Sequence, residues 1–206
     1  NEPQCFVGLG FLTGEHAPGV KVPLRDTFEM AHNAMKAHGR AVQMLRAYGK
    51  QKLMIGCAPT SSVYYPETDH PEDIEAARKA YFSLHEDEYE RYHKPIYITE
   101  NGLSCHDVIS LDGKVHDPNR IDFLARYLRE LRKAAEEADI RGYFQWSLMD
   151  NFEWAKGYSD RFGLVYVNYR NQERRLKMEV EGIHYLNRIT NKPSFGGFLK
   201  IEYRIH

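Results

Sequence analysis

Short apolar runs alternate along this chain with long segments of helical period, and that alternation constrains its fold more than any other feature. Lys52-Leu-Met-Ile-Gly-Cys-Ala58, Pro95-Ile-Tyr-Ile-Thr99 and Ile140-Arg-Gly-Tyr-Phe-Gln-Trp-Ser-Leu148 read as buried strands. From Leu24 to Tyr48, apolar residues such as Phe28, Ala31, Met35, Val42 and Leu45 recur at three- and four-residue spacing, and Gly49 suits the end of that helix. A second helix is expected over Pro71 to Leu84, with Pro71 in its first turn and acidic residues after it. Pro118 to Asp139 places Ile121, Leu124, Leu128, Leu131, Ala135 and Ala138 on one face, with Asp117 as the cap. Leu9 to Val22, rich in Gly and Pro, reads as a loop, and so does the aromatic-rich stretch Asp150 to Phe162. Strict alternation of helix and strand argues an α/β fold with a parallel sheet and crossover helices.

Charge excludes several classes of function. Lys and Arg number 28 and Asp and Glu 29, a net charge of −1 with the ten His neutral. Binding to nucleic acid or an anionic membrane needs a basic excess or stripe, which is missing. Uncharged stretches fall short of the roughly 20 apolar residues that span a bilayer. Cys5, Cys57 and Cys105 are widely spaced, with no Cys-x-x-Cys pair, so neither a disulfide framework nor a zinc site is expected. The expectation is a reducing, cytoplasmic setting; no charged stretch followed by an apolar run stands ahead of the first structural residues, so a signal peptide is not expected in the sequence as given, which opens on Asn1 and leaves the true N-terminus open. The histidines show no metal-ligand spacing, and His85 to Lys94 reads as a solvated helix face or linker.

In parallel α/β sheets, chemistry gathers at the C-terminal ends of the strands. Ile96-Tyr-Ile-Thr99 runs into Glu100-Asn101, and Tyr143-Phe-Gln-Trp-Ser-Leu148 runs towards Asp150-Asn151-Phe152-Glu153-Trp154. Asn1-Glu2-Pro3 is a third edge of this kind, so three carboxylate-bearing edges are expected on one rim. Taken singly, a strand-end Glu is more often a solvated or capping residue, and Trp146 and Trp154 are equally readable as core aromatics.

Together these segments resemble a known family. Asn1-Glu2-Pro3, Tyr97-Ile-Thr-Glu-Asn-Gly102, Phe144-Gln-Trp-Ser-Leu-Met-Asp-Asn-Phe-Glu-Trp154, Gly157-Tyr158 and Arg161-Phe-Gly-Leu-Val-Tyr166 stand in the order found in glycoside hydrolase family 1, the β-glucosidase family. The resemblance covers most of residues 1 to 190. It implies a (β/α)8 TIM barrel and a retaining β-glycosidase that needs no metal or organic cofactor. Retention uses two carboxyl groups about 5–5.5 Å apart. By match to the family motifs, Glu100 is the expected nucleophile and Glu2 the expected general acid and base. Asn1 is expected to bind the sugar 2-hydroxyl, and Trp146 to form a platform under the ring. Glu153 and Trp154 are expected on the hydroxyls farthest from the anomeric carbon, with Phe162 lining that end. A carboxylate at Glu153 would repel a 6-phosphate. The implied partner is therefore a small β-glucoside or oligosaccharide without phosphate.

The chain also departs from the pattern. A complete family member is more than twice as long. The resemblance accounts for the end of strand 4, strand 5, and strands 7 and 8 of the barrel, with an internal gap expected near residues 84 and 85. The expected organisation is a partial barrel domain over 1–190 and a C-terminal segment 191–206 of no assigned role, the whole being expected to belong to a longer protein, with a truncated chain whose parallel strands are left unpaired as the competing explanation. A different class of function remains as the alternative: a catalytically silent relative that binds carbohydrate or a partner protein.

Overall fold

A computed structural model describes residues 1–60, 64, 66–82 and 92–178. The polar run 85–91, the gap position 84/85 and the segment 191–206 lie outside the described residues. The chain forms two compact units, Asn1–Glu86 and Asp87–His206.

In the first unit, Glu2 and Pro3 lead into a π-helix, Cys5–Leu12, whose first turns use the Glu2 carbonyl as acceptor for the Cys5 N–H at 3.0 Å. The expected loop from Leu9 therefore begins only at Thr13, and it folds back on the helix end, the His16 N–H donating to the Leu9 carbonyl at 3.0 Å and the Val22 N–H to the Phe11 carbonyl at 2.8 Å. Helix α1, Leu24–Tyr48, begins after Pro23 and ends at Gly49, as its periodicity predicts. Helix α2, Pro71–Phe82, carries Glu72 and Asp73 in its first turn, where the helix dipole favours negative charge. The strand expected over 52–58 does not form. A parallel strand has no hydrogen bonds of its own and exists only against a neighbour; among the described residues, the backbone bond this segment makes outside helices and strands is one from the Glu2 N–H to the Ala58 carbonyl at 2.6 Å.

The second unit holds the parallel pair the alternation predicts. Strand β1, Ile96–Asn101, pairs in parallel with β2, Ile140–Gln145, and helix α3, Pro118–Glu137, lies between them in sequence. Its Leu124, Leu128 and Leu131 are buried; Leu124 packs with Leu164, Phe123 and Tyr143. The face ends earlier than expected, since Ala135 is exposed. Asp117 occupies the N-cap position, yet its side chain makes no capping bond and pairs instead with Arg120 at 2.6 Å. β2 stops at Gln145, three residues short of the expected end, because 147–150 leave the sheet to bond with 162–165: the Ser147 N–H donates to the Phe162 carbonyl at 3.2 Å and the Leu164 N–H to the Ser147 carbonyl at 2.9 Å. A further pair, β3 Val165–Val167 and β4 Arg174–Leu176, is antiparallel, against the purely parallel expectation. The six residues between them suffice for a hairpin, which a parallel crossover could not use.

Candidate active site

β1 delivers Glu100 and Asn101 as its last two residues, inside the strand and not beyond it. Asn101 is held from the neighbouring strand. The Tyr143 hydroxyl lies 2.8 Å from Asn101 Oδ1 and 2.9 Å from Gln145 Oε1, and the Trp146 backbone N–H donates to the Asn101 carbonyl at 2.8 Å. Gly102 is needed at this point: a Cβ there would lie 1.9 Å from the Trp146 carbonyl oxygen. Glu100 is exposed, Trp146 is 39% exposed, and the peptide between Trp146 and Ser147 is cis.

The loop after β2 is mounted on a buried charge network. Asp150 accepts from Lys177 Nζ at 2.8 Å, from Arg161 at 2.6 Å and from the Gly163 and Val167 N–H groups at 3.0 and 3.2 Å. Lys177 also reaches Asp107 at 2.5 Å, and Asp107 pairs with Arg120 at 2.8 Å. Arg120 donates in addition to Asp117 at 2.6 Å and to the Leu103 and Arg161 carbonyls at 3.0 and 2.7 Å. Three carboxylates thus face three cations, so the network is neutral and its acceptors are well supplied, the condition under which burying charge is tolerated. Burial alone pushes the Arg120 guanidinium down, but the Asp107 and Asp117 carboxylates outweigh it and hold it above the ordinary arginine range. Gly163 lets the loop close, since a Cβ there would sit 2.1 Å from the Asp150 nitrogen.

On this mount, Glu153 is half-buried and receives the Asn151 side-chain amide on Oε2 at 3.3 Å. Trp154 opens a short 3-10 turn, Trp154–Lys156, and is 70% exposed. Phe162 is half-buried, its carbonyl engaged by Ser147. The rings of Phe152, Tyr158 and Tyr169 follow one another at 5.4 and 4.3 Å, and Arg161 lies over Tyr166 and Tyr169 at 4.2 and 4.6 Å. The structure thus brings the Glu100 strand end, Trp146 and the Glu153–Phe162 loop into one unit. Asn1 and Glu2 belong to the other, where Asn1 is exposed and Glu2 is half-buried at φ +41°. Cys5, next to Glu2, has its thiol pushed up by burial and lies 3.5 Å from the Thr60 hydroxyl.

Among the described residues, no group of three or more His, Cys, Asp or Glu is placed to hold a metal ion, and no helix is long and apolar enough to cross a membrane. Sequence reading passed over Asp107, Arg120, Asn151 and Lys177. Arg120 and Lys177 look like ordinary surface charges, and only the fold buries them.

A family model described as glycosyl hydrolase family 1 matches residues 1–89 and 79–193. Beta-glucosidase A of Thermotoga maritima is 30% identical over 281 aligned positions, covering 93% of this chain and 62% of the relative. A 6-phospho-beta-galactosidase of Staphylococcus epidermidis is 37% identical over 173 positions, covering 82% of this chain and 34% of its own length. The solved structure of the Thermotoga maritima beta-glucosidase in complex with glucoimidazole superposes with a TM-score of 0.73 at 29% identity, over 92% of this chain and 62% of that one. The chain therefore spans about three fifths of the Thermotoga enzyme, and the strand-end Glu-Asn-Gly, the Trp-Ser turn and the loop mounted on Asp150 are parts of a (β/α)8 barrel carried by a chain that belongs to glycosyl hydrolase family 1.

Proposed function

We propose that this chain carries the machinery of a retaining β-glycosidase that removes terminal non-reducing β-D-glucosyl or β-D-galactosyl residues. The observation that carries the reading is Glu100 at the C-terminal end of a parallel strand, beside an Asn101 clamped by Tyr143 and a Trp146 delivered by the next strand. In the first step the Glu100 carboxylate attacks the anomeric carbon and the bond to the aglycone oxygen breaks, while the Glu2 carboxyl gives that oxygen its proton. In the second step Glu2, now a carboxylate, takes a proton from water, whose oxygen attacks the same carbon and releases Glu100. Two inversions give net retention.

Asn1 is assigned to the 2-hydroxyl, Trp146 to the ring face, and Glu153, Trp154 and Phe162 to the far end of the sugar. Exposure of Trp146 and Trp154 supports these assignments, since a core aromatic would be covered. Relatives named for neutral and for 6-phosphorylated sugars both match. The Glu153 carboxylate favours the neutral sugar, because it would face a phosphate of its own sign. A partial barrel over 1–190 with a break near 84/85 is supported by two family matches meeting at 79–89, by the unit boundary after Glu86 and by an alignment longer, at 281 positions, than the chain itself. The three free cysteines support a reducing, cytoplasmic setting.

Hydrolysis of 4-nitrophenyl β-D-glucoside tests the reading. Glu100→Gln is expected to cut kcat by about a thousandfold or more while sugar binding persists. In Glu100→Gly, azide is expected to attack the anomeric carbon from the vacated side, expelling 4-nitrophenolate and giving the α-glucosyl azide. Unchanged turnover in Glu100→Gln, or a wild-type chain with no turnover, overturns the proposal.

A further inference from the structure

The loop after β2 contains a polar contact that none of the roles above uses. The Asn151 carboxamide lies between Ser147 and Glu153: Ser147 Oγ is 3.2 Å from its Oδ1, while its Nδ2 is 3.3 Å from Glu153 Oε2 and 3.2 Å from the Phe152 carbonyl. The facing atoms fix which way round the amide sits. A carboxylate and a carbonyl only accept, so the NH2 must face them, and Oδ1 is left towards the Ser147 hydroxyl, whose one proton is shared between Oδ1 and the nearer Met149 carbonyl at 2.8 Å.

The amide is also anchored. Ser147 is buried, and the Asn151 carbonyl accepts from the Tyr169 hydroxyl at 3.1 Å. Glu153 is held through Oε2, and its Oε1 accepts no hydrogen bond among the described residues. A Glu side chain has three rotatable bonds, and without a partner it spreads over several rotamers.

We infer that Asn151 is a positioning residue for sugar specificity: through its Nδ2, 3.3 Å from Glu153 Oε2, it pins one oxygen of Glu153 so that the other is presented to the hydroxyls farthest from the anomeric carbon. This rests on the proposed role of Glu153. Asn151 acts before the chemical step, so its loss weakens binding of the sugar in ground state and transition state alike, which appears in KM and not in kcat.

The test uses the full chain, with kinetics on 4-nitrophenyl β-D-glucoside and calorimetric binding of deoxynojirimycin, a gluco-configured iminosugar. Asn151→Ala is expected to raise both KM and the iminosugar Kd by about tenfold, the scale of one hydrogen bond to a charged group, with kcat changed by less than about threefold. Asn151→Asp is isosteric but turns an oxygen towards Glu153 Oε2, so it is expected to raise KM further. Ser147→Ala releases Oδ1 and the Met149 carbonyl without touching Glu153 and is expected to raise KM by about threefold, which keeps the question open to test if an Asn151 variant folds poorly. Glu153→Gln is measured alongside. If it raises KM while both Asn151 variants stay within about twofold of wild type, the positioning role is wrong and the reading of Glu153 stands. If Glu153→Gln also leaves KM unmoved, the Glu153 reading fails and the inference with it. A fall in kcat and Tm at constant KM would make Asn151 merely structural, and a wild-type chain that neither turns over nor binds overturns both.

Discussion

Glu2 and Trp154 share a backbone feature that side-chain type alone does not announce: both lie at φ +41°, in the left-handed region that costs a residue with a Cβ free energy. The non-glycine residues of this kind among those described are Glu2, His93, Trp154 and Gln172, so two of them coincide with residues assigned to the sugar site from motif alone. Strain of about 1–3 kcal/mol per residue survives only where surrounding structure enforces it. For Trp154 the enforcing contacts are the Glu153 N–H to the Gly157 carbonyl at 2.6 Å and the Gly157 N–H to the Trp154 carbonyl at 3.0 Å. Cysteine reactivity is a second matter decided residue by residue. Burial pushes the Cys5 and Cys105 thiols up, whereas Cys57 is exposed. The neutral thiol is thereby favoured in the fold, so this contribution to stability holds below the ordinary thiol range and fades as pH rises through the raised one. At about pH 8, iodoacetamide should alkylate Cys57 well ahead of the other two, as read by peptide mass spectrometry; equal rates at all three would show that the burial is wrong.

Helix α3 shows where elements obey their sequence and where they serve something else. Its apolar stripe was legible and Leu124, Leu128 and Leu131 are buried as the spacing requires. Arg120, one residue before that stripe, is fully buried, and Asp117 gives up its capping role to pair with it. Arg120→Ala would take the guanidinium away from buried Asp117 and leave Asp107 to Lys177, a loss of about 3–5 kcal/mol for a broken buried pair, and the chain should unfold at correspondingly lower urea. Arg120→Lys should recover only part, because an ammonium cannot span Asp107, Asp117 and two carbonyls as the guanidinium fork does. A midpoint unchanged by Arg120→Ala would mean the network contributes nothing. Segment 52–58 is the opposite case, an apolar run of strand composition that stays irregular because strand pairing is supplied by neighbours and not by the run itself.

At the scale of the molecule, the chain spans 62% of the length of its Thermotoga maritima relative. In α1, Phe28, Met44 and Tyr48 are 67%, 58% and 73% exposed, Phe28 on the opposite side of the helix from Met44 and Tyr48. Apolar surface of this kind draws hydrophobic dyes. The native chain should enhance ANS fluorescence, and a Phe28→Ser, Tyr48→Ser double variant should lower that signal without lowering Tm; an ANS-silent wild type would show that α1 is covered. The sequence by itself determined the positions of α1, α2 and α3, the parallel β1–β2 pair and the order of the family motifs, because periodicity, end signals and short motifs are local properties of the chain. Tertiary structure alone decided that Arg120 and Lys177 are interior, that β3 and β4 form a hairpin, that Asn151 faces Glu153 and that 52–58 is no strand. Each of these depends on which group far along the chain arrives within about 3 Å to accept a hydrogen bond or cover a surface, and no local pattern encodes the arrival of a partner.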